Sequence, residues 1–143
     1  MTTPSYGQPG GTGPNPLVGL PAPAPPIPPL ASLATTGPAG FPLQDATPTI
    51  LTWTAPADGF IHRVLVNCAW HVTSTETGGV VQVEITLPDG TTKGNELSAG
   101  GQAGGEYFSL TGYLVEPGSS VSLDQTSALT AGAALWWAEF YGA

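Results

Sequence analysis

The 143-residue chain has almost no cations. Arg63 and Lys93 stand against ten acidic residues, for a formal net charge of −8. A nucleic-acid binder neutralises phosphates with a basic stripe, and two cations cannot build one. Basic attachment to an anionic membrane surface fails on the same count. Cysteine is nearly absent too: Cys68 alone excludes an internal disulfide framework and a Cys-based zinc site. No apolar run approaches the roughly 18 residues needed to span a bilayer as a helix. The opening Met-Thr-Thr-Pro-Ser-Tyr-Gly lacks a basic n-region and a continuous apolar h-region, so no secretory signal is expected. No window combines helix-forming residues with a 3.6-residue apolar period, so no helix is expected either.

Glycine and proline are abundant, with 20 and 16 residues, but unevenly placed. Thirteen of the prolines lie within residues 1–48, and no charge occurs before Asp45. Proline removes a backbone donor and fixes φ, which excludes a helix or an inner strand here. The expected form is an extended, largely polyproline II arm over residues 1–48, followed by a folded domain over 49–143. At roughly 3.1 Å per residue, the charge-free 44 residues can reach on the order of 130 Å. The arm is more apolar than a linker. Leu17 and Leu20 are three apart, as are Ile27, Leu30 and Leu33, so each set lines one edge of a three-residue-per-turn rod. Those five residues are the expected docking edge for a partner protein.

From residue 49 the pattern is all-β. Alternation over 60–74 places Phe60, Val64, Val66, Cys68, Trp70 and Val72 on one face. Residues 80–87 alternate similarly, with further strands at 50–54, 106–116, 120–125 and 133–141. Ala-Pro-Ala-Asp-Gly at 55–59, Pro-Asp-Gly at 88–90 and Glu-Pro-Gly at 116–118 are turn sequences. The glycine-rich stretch 94–105 reads as a loop. Six or seven strands at this spacing indicate a small antiparallel β-sandwich or jelly roll preceded by the arm. The strand at 133–141 is apolar on both faces, and that at 106–116 carries Phe108, Leu110 and Leu114 on one face against Tyr107, Tyr113 and Val115 on the other. Both must be covered on two sides. The expected subunit interface is Tyr107, Tyr113, Trp136, Trp137 and Tyr141, since aromatics are enriched in interfaces.

Catalytic chemistry is thin. His62 and His71, the only histidines, have opposite parity on one strand and face opposite sides. There is no Gly-x-Ser-x-Gly elbow and no phosphate-loop Lys-Ser/Thr after the glycines. Cys68 sits among apolar neighbours as a small hydrophobe. Glu84, Glu96 and Glu106 are scattered acids on outward or loop positions. The expectation is a non-enzyme with no catalytic, cofactor or metal residues.

Two segments carry a family resemblance. Thr54-Ala55-Pro56-Ala57-Asp58-Gly59-Phe60 before a long strand resembles the entry of small phage virion jelly rolls, which look like the tumour necrosis factor-like trimeric fold. Gly112 to Leu123, with Pro117-Gly118 between two strands, is similar to the strand pair near the end of that fold. The resemblance covers roughly residues 50–143. With the arm, it implies a bacteriophage capsid decoration (cement) protein: a homotrimer, made in the host cytoplasm, bound to the major capsid protein on the outer capsid surface. A tail or fibre module, or one binding a host surface, is the alternative. Neither involves nucleic acid or membrane.

Overall fold

The structure, a computed structural model, describes residues 30–98 and 100–142. Nine strands form two antiparallel sheets, and no helix occurs among the described residues. They are β1 (Ala31–Thr35), β2 (Phe41–Pro42), β3 (Thr49–Thr54), β4 (His62–Gly78), β5 (Val81–Thr86), β6 (Thr92–Ser98), β7 (Glu106–Val115), β8 (Ser120–Gln125) and β9 (Leu129–Gly142). Sheet A runs β1-β9-β4-β7, with β2 also on β9; sheet B runs β3-β8-β5-β6. The expected all-β sandwich is therefore the observed architecture.

Alternation builds the core between the sheets. Val64, Val66, Cys68, Trp70 and Val72 of β4 point inward, as do Ala134, Trp136, Ala138 and Phe140 of β9. Sheet B answers with Val81, Val83, Val121 and Leu123. The centre is the Trp70–Trp136 pair, directly opposite in register, with ring centroids 4.1 Å apart and planes 3° from parallel. Such a stack adds to simple area burial.

The domain starts earlier than the expected border at residue 49. Ala31–Thr35 pairs with the end of β9, Ala31 opposite Gly142, and Phe41–Pro42 pairs further along it, Phe41 opposite Trp136. Residues 31–42 thus form an interrupted edge strand, the sheet position that proline tolerates. Leu33 and Phe41 pack against the core. Leu33, expected on the docking edge, is thereby taken up by its own domain, whereas Leu30 remains exposed. Leu17, Leu20 and Ile27 lie outside the described residues.

The interruption at Thr36–Gly40 is held from both ends. Thr36 N–H donates to the Ala138 carbonyl at 3.0 Å, and Thr36 Oγ1 accepts from Ala138 N–H at 3.1 Å. Gly40 has φ +74°, and a Cβ there would sit 2.8 Å from the Trp136 carbonyl oxygen. The approach to β3 is tied down by Gln125, which is 1% exposed. Its Nε2 donates to the Gln44 carbonyl at 2.6 Å and the Ser127 carbonyl at 3.1 Å, while Oε1 accepts from Gln44 N–H at 3.0 Å.

Residues 94–98 of strand β6 fall in the stretch expected as loop. The strand lies at the sheet edge, paired only with β5, and residues 92–96 are all exposed. Only Leu97 near its end packs against the core, so it shows no apolar alternation, which is the signal that marks a strand in sequence.

Candidate functional site

The five aromatics expected at one interface fall on two faces. Trp136 is fully buried in the core. Tyr107 points the same way and stacks on Trp70 at 5.5 Å, and Tyr113 is half-buried against the core, its hydroxyl 3.4 Å from Asn95 Nδ2. Trp136 and Tyr113 are packing residues of their own subunit, so the set cannot act as one interface. Trp137 and Tyr141 have the opposite parity and lie on the outer face of sheet A. The Trp137 Nε1 donates to the Pro38 carbonyl at 2.9 Å.

That outer face is where the large exposed apolar side chains collect. On β7, Phe108 is 85% exposed, Leu110 63% and Leu114 70%. The register sets them in rows across the sheet. Phe108 lies beside Ala69 and Trp137, Leu110 beside Asn67 and Glu139, Gly112 beside Leu65 and Tyr141, and Leu114 beside Arg63. Phe60 and Ile61, in the segment just before β4, are exposed as well. The sequence had separated the two faces of β7 correctly; burial assigns the Tyr113 and Val115 side to the core and leaves the Phe108 side free.

Few charges interrupt the surface. Glu106 lies opposite His71 at one end and Arg63 beside Leu114 at the other. Glu139 accepts from the Tyr141 hydroxyl at 2.6 Å. Hydrogen bonds from Ser32 and Tyr141 hold its carboxyl below the usual carboxylate range. A hollow of about 410 Å³ opens beside small Ala69, bounded by Asn67, Trp137 and Glu139 and walled by the Thr35–Pro38 loop.

Groups that might have carried chemistry are dispersed. Burial pushes the Cys68 thiol up to about 12, which removes the thiolate a nucleophile requires. His62 contacts Asp58 at 3.1 Å, four residues away, and meets the Trp53 ring edge-on. The Phe60 N–H and then His62 hold the Asp58 carboxyl down. Glu84 and Glu96 belong to sheet B and Glu106 to sheet A. Among the described residues, no three His, Cys, Asp or Glu side chains group as metal ligands. Glu76, 5% exposed and without a hydrogen-bond partner for either carboxylate oxygen among the described residues, was not singled out in sequence. Desolvation raises its pKa.

No protein-family model matches the sequence, and no curated protein matches it. The fold does match solved structures. It is similar to a chain of the T13 particle of infectious bursal disease virus, with a TM-score of 0.54 and 16% identity over 87% of this chain. It is similar to a chain of the T=1 particles derived from that virus, with a TM-score of 0.53 and 17% identity over the same share. In both cases only 36% of the viral chain is covered, so this protein spans about a third of their length. The likeness is one of fold: a β-sandwich of a kind used in icosahedral virus particles.

Proposed function

We propose that this protein is a virion structural protein: a decoration, or cement, protein that sits on the outer face of a phage head and joins neighbouring subunits of the major capsid protein. It is made in the host cytoplasm and acts on the assembled particle. The observation that carries this proposal is the pairing of a sandwich similar to those of virus-particle chains with an apolar face that the described residues leave uncovered. The charge-free stretch before Ala31 supports it, because burial against a shell is hindered by charge and favoured by apolar side chains such as Leu17, Leu20 and Ile27.

The physics fits the role. A cap that binds only the assembled shell stabilises that shell by linkage. A long arm adds a second point of attachment at high effective concentration. An acidic body with two cations does not capture stray nucleic acid.

The test is to image particles assembled with and without the full-length protein. Density of the size of this domain on the outer head surface, lost when the gene is deleted, is the expected result. Particles whose heads are unchanged, with the protein on the tail or absent from the virion, overturn the proposal.

A further inference from the structure

The hollow beside Ala69 gathers side chains that the folding of the domain does not use. Trp137 and Glu139 stand two apart on β9, on its outward side, with Cα atoms about 7 Å apart. On β4, Ala69 lies opposite Trp137 and Asn67 opposite Glu139. The methyl of Ala69 is too small to fill the floor between the indole, the carboxyl and the amide. The Thr35–Pro38 loop forms the remaining wall, and its polar groups are already engaged. Thr36 bonds to the Ala138 backbone, Thr35 Oγ1 accepts from Gly37 N–H at 3.0 Å, and the Pro38 carbonyl holds Trp137 Nε1. Gly40 packs beside that ring, where a Cβ would come within 2.9 Å of Nε1. The indole wall is therefore fixed before any ligand arrives.

One negative charge is left in the hollow with no cation beside it. Glu139 accepts hydrogen bonds from the Tyr141 and Ser32 hydroxyls, which are neutral. The two basic side chains of the sequence are elsewhere. Lys93 belongs to β6 in the other sheet, and Arg63 is four residues along β4 from Asn67, about 13 Å away. We propose that the hollow takes an arginine side chain of the shell protein, its guanidinium lying against the Trp137 ring with one edge toward the Glu139 carboxylate and the Asn67 carboxamide.

Charge selects a cation over a neutral ligand such as a sugar, which would stack on the ring and leave the carboxylate unmatched. Shape then selects arginine over lysine. A cation within about 6 Å of an indole centroid is attracted by the ring quadrupole. A guanidinium is flat enough to lie on the ring and presents a fork of donors that matches a carboxylate, whereas an ammonium is a compact and more strongly hydrated point charge. The net charge of −8 draws a cationic partner surface toward the domain. The inference rests on the proposed function only for the source of the arginine, and it specifies what the shell presents beside the apolar rows of β7.

Two measurements on the full-length protein test it. In solution, the indole N–H of Trp137 and the side-chain amide of Asn67 are followed by NMR during titration with N-acetyl-arginine amide. Saturable shifts are expected, with the lysine analogue weaker by about threefold and the citrulline analogue, similar in shape but uncharged, without effect. Glu139→Gln, checked for folding by circular dichroism, is expected to weaken arginine binding by about tenfold. An equal response to citrulline, or a response to methyl glucoside and none to arginine, overturns the assignment. On particles, Glu139→Gln is expected to lower attachment by about tenfold in co-sedimentation. Undiminished attachment of that variant overturns the arginine contact and leaves the proposed function standing. Arginine binding by a protein that is absent from heads overturns the proposed function and leaves the chemistry of the hollow standing.

Discussion

The two sheets share one core but present opposite outer faces. On sheet B the outward rows are Thr86–Ser120–Thr54, Glu84–Ser122–Thr52 and Gln82 beside Asp124. These polar side chains bond to one another: Gln82 Nε2 donates to Glu84 at 3.1 Å, and Thr49 and Ser122 both donate to Asp124. On sheet A the corresponding positions hold Phe108, Leu110, Leu114, Leu65 and Trp137. An antiparallel sandwich has no intrinsic need for a second apolar face. Folding accounts for the inner faces of both sheets, and the apolar outer face of sheet A stays uncovered among the described residues.

The sharpest way to separate inside from outside is at two adjacent residues of β9. Trp136→Ala removes a fully buried indole stacked on Trp70 and is expected to cost about 3–5 kcal/mol. Trp137→Ala removes an outward ring and one hydrogen bond to Pro38, with an expected cost near 1 kcal/mol. Denaturant unfolding measures both. Similar losses at the two positions would mean that the outer face of sheet A belongs to the core.

A second effect lies where the early strands are tied to the body. Gln125→Leu keeps the volume but leaves the Gln44 N–H without its partner and takes one of two donors from the Gln44 carbonyl, which keeps the Leu129 N–H at 2.8 Å. A buried unpaired backbone group costs about 1–3 kcal/mol. A loss of about 2 kcal/mol in the same unfolding assay is expected, with protection from amide exchange falling first over residues 31–44.

Much of this was legible in the sequence. Strict alternation in Val64 to Val72 and in Val81 to Val83 placed β4 and β5 and gave their inward residues. The turns at Asp89-Gly90 and Pro117-Gly118 bounded β5 and β8. Two features were hidden for physical reasons. β1 and β2 lie in a proline-rich stretch whose composition resembles a tail, and they are strands only because β9 offers an edge. The free face of β7 was mistaken for the buried one because ring size drew attention to Tyr107 and Tyr113. Their rings are used against Trp70 and the core, and no local pattern says which of two apolar faces meets the opposite sheet.

Glu76 gives a smaller, pH-dependent difference, at a site shared by neither outer face. Its buried carboxyl has a raised pKa through desolvation. The folded state therefore holds a proton more tightly than the unfolded state, and stability falls as pH rises from the ordinary carboxylate range through the raised folded value. Glu76→Gln is expected to be more stable than the parent at pH 7, with the advantage shrinking as pH falls from the raised folded value toward the ordinary carboxylate range. Thermal melts of both proteins from pH 4 to pH 8 measure it. A parallel pH dependence in the two would show that the carboxylate is solvated.

The smallest expected change in stability is the most direct test of the asymmetry between the sheets. Leu114→Thr takes an apolar group from the outer face of sheet A, and Ser122→Leu adds one to the outer face of sheet B. Both positions face outward on paired strands, so each substitution is expected to shift unfolding by no more than about 0.5 kcal/mol. Association responds only to the first. Leu114→Thr weakens binding to the shell because Leu114 lies in the exposed apolar rows, whereas Ser122→Leu leaves it unchanged, as a single apolar residue among Glu84, Thr52 and Asp124 makes no patch. Co-sedimentation with assembled particles reads both at once. Equal responses would show that association follows total surface hydrophobicity; unequal responses locate it on the rows of β7 and β4.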